Sequence, residues 1–115
     1  MESFIKILKD INEREITKEV LKNLKFKLYQ NFPNPFNVFT DIQFSIPGPS
    51  FVKLSIFDMF DREVKILINE TKLEGIYNVK LDSSNLTSGS YFCKLSCKTE
   101  KENFSEIRKI DVLAG

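Results

Sequence analysis

Apolar residues recur along this chain with two different periods, and the change falls near residue 26. Over residues 2–25, Phe4, Ile7, Leu8 and Ile11 follow the i, i+3, i+4, i+7 spacing of one helix face. Ile16, Val20, Leu21 and Leu24 form a second stripe, and Asn12 followed by Glu15 resembles a capping box. The pattern predicts one helix, or two short ones breaking near Asn12. Such a stripe packs on its own domain, binds a partner, or belongs to a linker or the end of a preceding protein.

From Phe26 onward the period is two. Ile42, Phe44 and Ile46 alternate with Asp41, Gln43 and Ser45; Val52, Leu54 and Ile56 alternate with Lys53 and Ser55. Tyr77, Val79 and Leu81 repeat the pattern, as do Tyr91, Cys93, Leu95 and Cys97. Each run predicts a half-buried strand with one face inward. Further strands are expected near Phe26–Gln30, Arg62–Ile68 and Phe104–Leu113, about seven in all. Turn residues separate them at Pro47-Gly48-Pro49-Ser50, Asp61-Arg62, Glu74-Gly75, Ser83-Ser84-Asn85 and Ser88-Gly89-Ser90. After residue 26 no segment reads as a crossover helix, so the strands are antiparallel. The expected fold is therefore mainly β: an antiparallel sandwich or barrel over residues 26–115, behind an N-terminal helical segment over residues 1–25.

Composition narrows the chemistry. At 115 residues the chain is one domain with an appendage. Seventeen basic and sixteen acidic residues leave no field of one sign to steer nucleic acid or an anionic membrane. The absence of histidine removes the commonest general base, the Ser-His-Asp and Cys-His arrangements and any His-containing metal site. Cys93 and Cys97, on one strand, would stand about 13 Å apart on the same face, beyond disulfide reach. They read as small buried hydrophobes. Asp58, Asp61 and Glu63 around a turn read as solvated charge rather than a calcium loop. The Asn-x-Ser/Thr sequons at Asn69, Asn85 and Asn103 read as chance in so polar a chain. No Gly-rich phosphate loop, cofactor site or catalytic set is expected. No run approaches the ~20 apolar residues of a spanning helix. The charged start lacks the apolar core of a targeting signal.

Between the first two strands, Asn31-Phe32-Pro33-Asn34-Pro35-Phe36-Asn37 places two prolines and three asparagines around two Phe. Proline fixes φ and Asn bonds back to its own backbone, so a rigid loop is expected, its Phe rings pinning it to the sandwich. This stretch resembles the opening Leu-x-Gln-Asn-aromatic-Pro-Asn-Pro-Phe-Asn motif of the type A C-terminal sorting domain of the type IX secretion system of Bacteroidota. Here it reads Leu28-Tyr29-Gln30-Asn31-Phe32-Pro33-Asn34-Pro35-Phe36-Asn37. Thr40-Asp41-Ile42-Gln43-Phe44-Ser45-Ile46-Pro47, Val52-Lys53-Leu54-Ser55-Ile56-Phe57-Asp58, Leu86-Thr87-Ser88-Gly89-Ser90-Tyr91 and Lys109-Ile110-Asp111-Val112 match the family's later motifs in order. Val38 stands where the family often has Pro, Leu81 where it usually has Trp before Asp82, and Leu113-Ala114-Gly115 is not its common basic ending.

The resemblance implies an immunoglobulin-like sandwich that serves as an address rather than a catalyst. It sits at the end of an exported cargo protein, is bound by the type IX translocon, and is cut by a surface sortase at the cell surface. Its recognition residues would be Asn31, Pro33, Asn34, Pro35, Phe36, Asn37, Gly89, Tyr91, Lys109 and Val112. For Pro33, Pro35 and Phe36 two roles stand open: plugging one end of the sandwich, or touching the receptor. Gly89 is expected to supply a positive-φ turn and Tyr91 a core contact. The last strand offers an edge for β-augmentation. The alternative is a structural or adhesive immunoglobulin-like module of the kind that caps flagellar hooks. A glycan-binding sandwich is disfavoured by the lack of Trp. Neither nucleic acid nor membrane insertion enters these expectations, and oligomeric state is left open.

Overall fold

The computed structural model describes residues 22–113. The apolar stripes expected to be helical over residues 2–25 lie, up to Leu21, outside the described residues. Seven strands follow: β1 (Lys27–Leu28), β2 (Phe39–Ile46), β3 (Ser50–Phe57), β4 (Glu63–Lys72), β5 (Gly75–Asp82), β6 (Gly89–Lys98) and β7 (Asn103–Val112). All pair antiparallel, in a three-stranded sheet ordered β1-β2-β5 and a four-stranded sheet ordered β4-β3-β6-β7. β2, β3, β5 and β6 coincide with the period-two runs, because alternation gives one sheet face to the core. β1 is shorter than expected, since the chain turns away after Leu28 into the Pro-Asn loop.

One core lies between the sheets. Leu28, Ile42, Phe44, Ile46 and Leu81 come from the first, and Val52, Leu54, Ile56, Cys93, Leu95 and Ile110 from the second. Cys93 and Cys97 are buried free thiols inside it. Burial pushes them up to about 12 and about 11, so neither forms a reactive thiolate near neutrality.

Two irregularities manage the sheet edges. The β3–β4 register slips twice, between Leu54 and Ser55 and between Ile56 and Phe57. The bulges let Leu67 and Ile68, adjacent in sequence, both pack against the core. They also bend an edge strand that would otherwise offer a flat template. The second device closes the side where β1 and β7 face each other. The Tyr29 amide donates to Gln43 O, so the Leu28 amide and carbonyl point away from β2. Leu28 N–H donates to Glu106 Oε1 at 2.6 Å, and Arg108 Nε donates to Leu28 O at 3.0 Å. Two β7 side chains thus do what a neighbouring strand would do. Below them Phe26 stacks on Phe104 at 5.2 Å.

Candidate functional site

Strand direction decides where the motifs meet. β2, β4 and β6 start, and β3, β5 and β7 finish, at the same end of the sandwich. That end therefore collects the loop before β2, the 58–62 turn, the 83–88 loop and the close of β7. Motifs lying some 50 and 80 residues apart become neighbours. Gly89 pairs with Val112, Tyr91 with Ile110, and Phe36 forms a parallel bridge with Val112.

The Pro-Asn loop is held from both sides. Toward β2, Phe32 and Asp41 exchange two backbone bonds of 3.0 and 2.9 Å. Asn31, 3% exposed, donates through Nδ2 to Pro33 O and Thr40 Oγ1, and accepts from Gln30 Nε2 at Oδ1. Buried Thr40 donates to Pro33 O at 2.7 Å. This network satisfies groups that the prolines, lacking N–H donors, cannot serve. Toward β7, Gln30 Nε2 donates to Lys109 O and Asp111 N–H to Asn34 Oδ1. Phe36 N–H donates to Asp111 O, and Leu113 N–H to Phe36 O. Both X-Pro bonds, Phe32-Pro33 and Asn34-Pro35, are cis.

The two Phe rings of the loop part company, which corrects the expectation that both pin it. Phe36 is 1% exposed and belongs to the core; Phe32 is 80% exposed. The reason is alternation: Phe32 bridges Asp41, which sits on the outward face of β2, so its ring shares that face. Pro33, Pro35, Asn37 and Lys109 are exposed, whereas Val112 is buried. Val38, in place of the family's proline, is exposed, and its carbonyl accepts from Ser83 N–H.

The 86–91 motif completes the end. Gly89 has φ +146 with nothing within 4 Å of a built Cβ, so backbone conformation rather than space requires glycine. The Tyr91 ring is buried and its hydroxyl donates to Thr87 O at 2.8 Å, while Leu86 closes the core. Ser90 Oγ donates to Asp111 Oδ1 at 2.6 Å. On the 58–62 turn, the Asp58 carboxylate accepts from the amides of Phe60 and Arg62 and from Arg62 Nε. Those bonds, the Arg62 amide foremost, hold its carboxyl below the usual range. Asp58 is thus a turn cap, and among the described residues no cluster of acidic or cysteine ligands suits a metal.

The sequence reading did not single out Gln30, Thr40, Glu106, Arg108 or Asp111. Gln30, Thr40 and Asp111 lie within quoted motifs, so the signal was present. Glu106 and Arg108 act on a residue about 80 positions earlier, which no local pattern shows. The backbone edge of β7 is engaged by the loop at Lys109, Asp111 and Leu113; among the described residues its earlier half has no such loop along it.

A family model described as a secretion system C-terminal sorting domain matches residues 30–110. No curated protein and no solved structure matches the chain.

Proposed function

The chain belongs to the secretion-system C-terminal sorting domain family, and from that premise we propose that it is the non-catalytic address of an exported cargo. The end of the sandwich gathering the Pro-Asn loop, the Gly89–Tyr91 element and the close of β7 is what the type IX machinery reads. The observation that carries this reading is the convergence of those motifs, far apart in sequence, onto one bonded end of the fold. Within it Asn31, Phe36, Tyr91 and Val112 build the surface from below, and Phe32, Pro33, Pro35, Asn37 and Lys109 present it. The partners in this reading are the translocon and a surface sortase, and the destination is the cell surface.

The sandwich is read as immunoglobulin-like. The first, second and fifth strands share one sheet and the third, sixth and seventh the other, as in constant-type immunoglobulin domains, with the fourth moved to the second sheet.

The test is a fusion of residues 26–115 to a reporter behind a Sec signal, expressed in a type IX-competent host. Surface delivery is expected, and its loss on removing residues 109–115. A reporter that stays in the periplasm overturns the sorting reading. A stable partner complex indifferent to that removal favours the adhesive module.

A further inference from the structure

The outward face of the four-stranded sheet carries chemistry that the motif-bearing end does not use. Register places Ser55 beside Lys94 and Phe57 beside Phe92 across β3 and β6, with Ile107 next to Lys94 on β7. Like-facing neighbours stand about 7 Å apart along each strand. Lysines collect here: Lys53, Lys94, Lys98 and Lys109 all lie on this face. Lys53 is paired with Glu63 at 3.1 Å; the other three have no ion pair among the described residues. Against these four lysines the strands place Glu63 and Asp111 on the same face, so a chain balanced in total charge keeps a basic excess there.

Two adjoining hollows occupy the middle of that face. The smaller, about 100 Å³, is lined by Lys53, Ser55, Glu63, Lys94, Ser96 and Phe57. At its floor Ser55 Oγ is buried and completes no hydrogen bond among the described residues. A buried polar atom without a partner is costly, which points to a missing one. The chain shows what such a hollow holds: the Glu63 carboxylate sits at its wall, paired with Lys53, and that bond foremost holds its carboxyl below the usual range. Lys94, on the opposite wall, has no such partner. The larger hollow, about 390 Å³, is lined by Phe57, Phe92, Ile107, Lys94 and Asp61. The two share Phe57 and Lys94.

We propose that this face binds an acidic polypeptide segment with an apolar residue next to a carboxylate. The carboxylate enters the small hollow against Lys94 and Ser55, and the apolar side chain fills the larger one against Phe57, Phe92 and Ile107. Lys94 at the hollows, with Lys98 further along β6, supplies the charge complementarity. An anionic lipid surface fits less well, because Phe57 and Phe92 are half-buried within the sheet and do not protrude for insertion. This surface adjoins the motif-bearing end at Asp61 and Lys109 but does not depend on the sorting reading.

The test is fluorescence anisotropy with the full chain and a labelled acidic peptide containing one Asp-Phe pair. Comparison peptides carry Ser for Phe, or Lys for each acid, and phosphatidylglycerol vesicles form a separate arm. Lys94→Gln and Ile107→Glu, each checked for an unchanged melting temperature, are expected to weaken binding tenfold or more. Lys94→Arg is expected to retain it, and the Ser and Lys peptides to bind at least tenfold more weakly. The proposal is overturned by the absence of peptide binding, by affinity indifferent to both variants, by equal binding of the Ser peptide, or by vesicle binding without peptide binding.

Discussion

Asn34 Oδ1 lies 2.9 Å from the backbone nitrogen of Asp111, a bond spanning 77 residues that ties the first motif of the chain to the last. Two residues on, Phe36 continues the contact with main-chain bonds to Asp111 and Leu113. The loop is thus a short extra strand laid along the end of β7. Shortening the terminus removes a partner of the Pro-Asn loop as well as any signal the terminus itself carries.

The two loop phenylalanines should separate stability from recognition. Phe36→Ala is expected to cost about 3–5 kcal/mol in urea unfolding, the usual range for emptying a buried aromatic site. Phe32→Ser is expected to stay within about 0.5 kcal/mol, as exposed positions do. In the secretion assay the second variant should fold and yet be delivered poorly. Normal delivery would show that Phe32 is not read.

Asn31 should behave as a buried hub. Asn31→Ala takes one of two donors from the Pro33 carbonyl and the Asn31 donor from Thr40 Oγ1, at an expected cost of about 1–3 kcal/mol. Asn37→Ala, at an exposed site, should be neutral. Equal midpoints in chemical denaturation for these two variants would contradict the network described above.

The side-chain closure between β1 and β7 can be read at a single amide. Hydrogen exchange at Leu28 is expected to be slow in the native chain and faster in Glu106→Ala, with the β3 and β6 amides unchanged. Arg108→Ala removes the donor to the Leu28 carbonyl and should raise exchange at the neighbouring Tyr29 amide as β1 loosens. A global rise would instead mean that the closure governs the whole fold.

The cysteines make stability depend on alkaline pH. Their folded pKa values, about 12 and about 11, lie above the ordinary 9.0, so the native state holds protons that the unfolded chain releases. The stabilisation is fully present below about pH 9 and declines as pH rises through 9 toward 11–12. The Cys93→Ala, Cys97→Ala double variant should show a shallower decline above pH 9. At pH 8 both thiols should resist iodoacetamide in the folded chain and react after unfolding.

Much of the fold was legible because strands with one buried face must alternate, and turns must break that alternation. The runs at 42–46, 52–56, 77–81 and 91–97 all became inward faces, and Gly89 has the positive φ its motif required. Less legible was whether a loop aromatic points in or out. Phe32 and Phe36 look alike in sequence, but Phe32 takes its direction from Asp41 and Phe36 from Val112. The β4 bulges were equally hidden, since they follow from packing both Leu67 and Ile68 on one core.

The sequence by itself determined the class of fold, the positions of the alternating strands and the family, because alternation, turn chemistry and ordered motifs are local properties of the chain. Only the tertiary structure decided that three distant motifs share one end, that Glu106 and Arg108 complete the edge of β1, and that lysines scattered through a balanced sequence gather on one sheet face. Those outcomes depend on sheet order and register. Both are set by how the two sheets bury a common core, and no stretch of sequence contains that information alone.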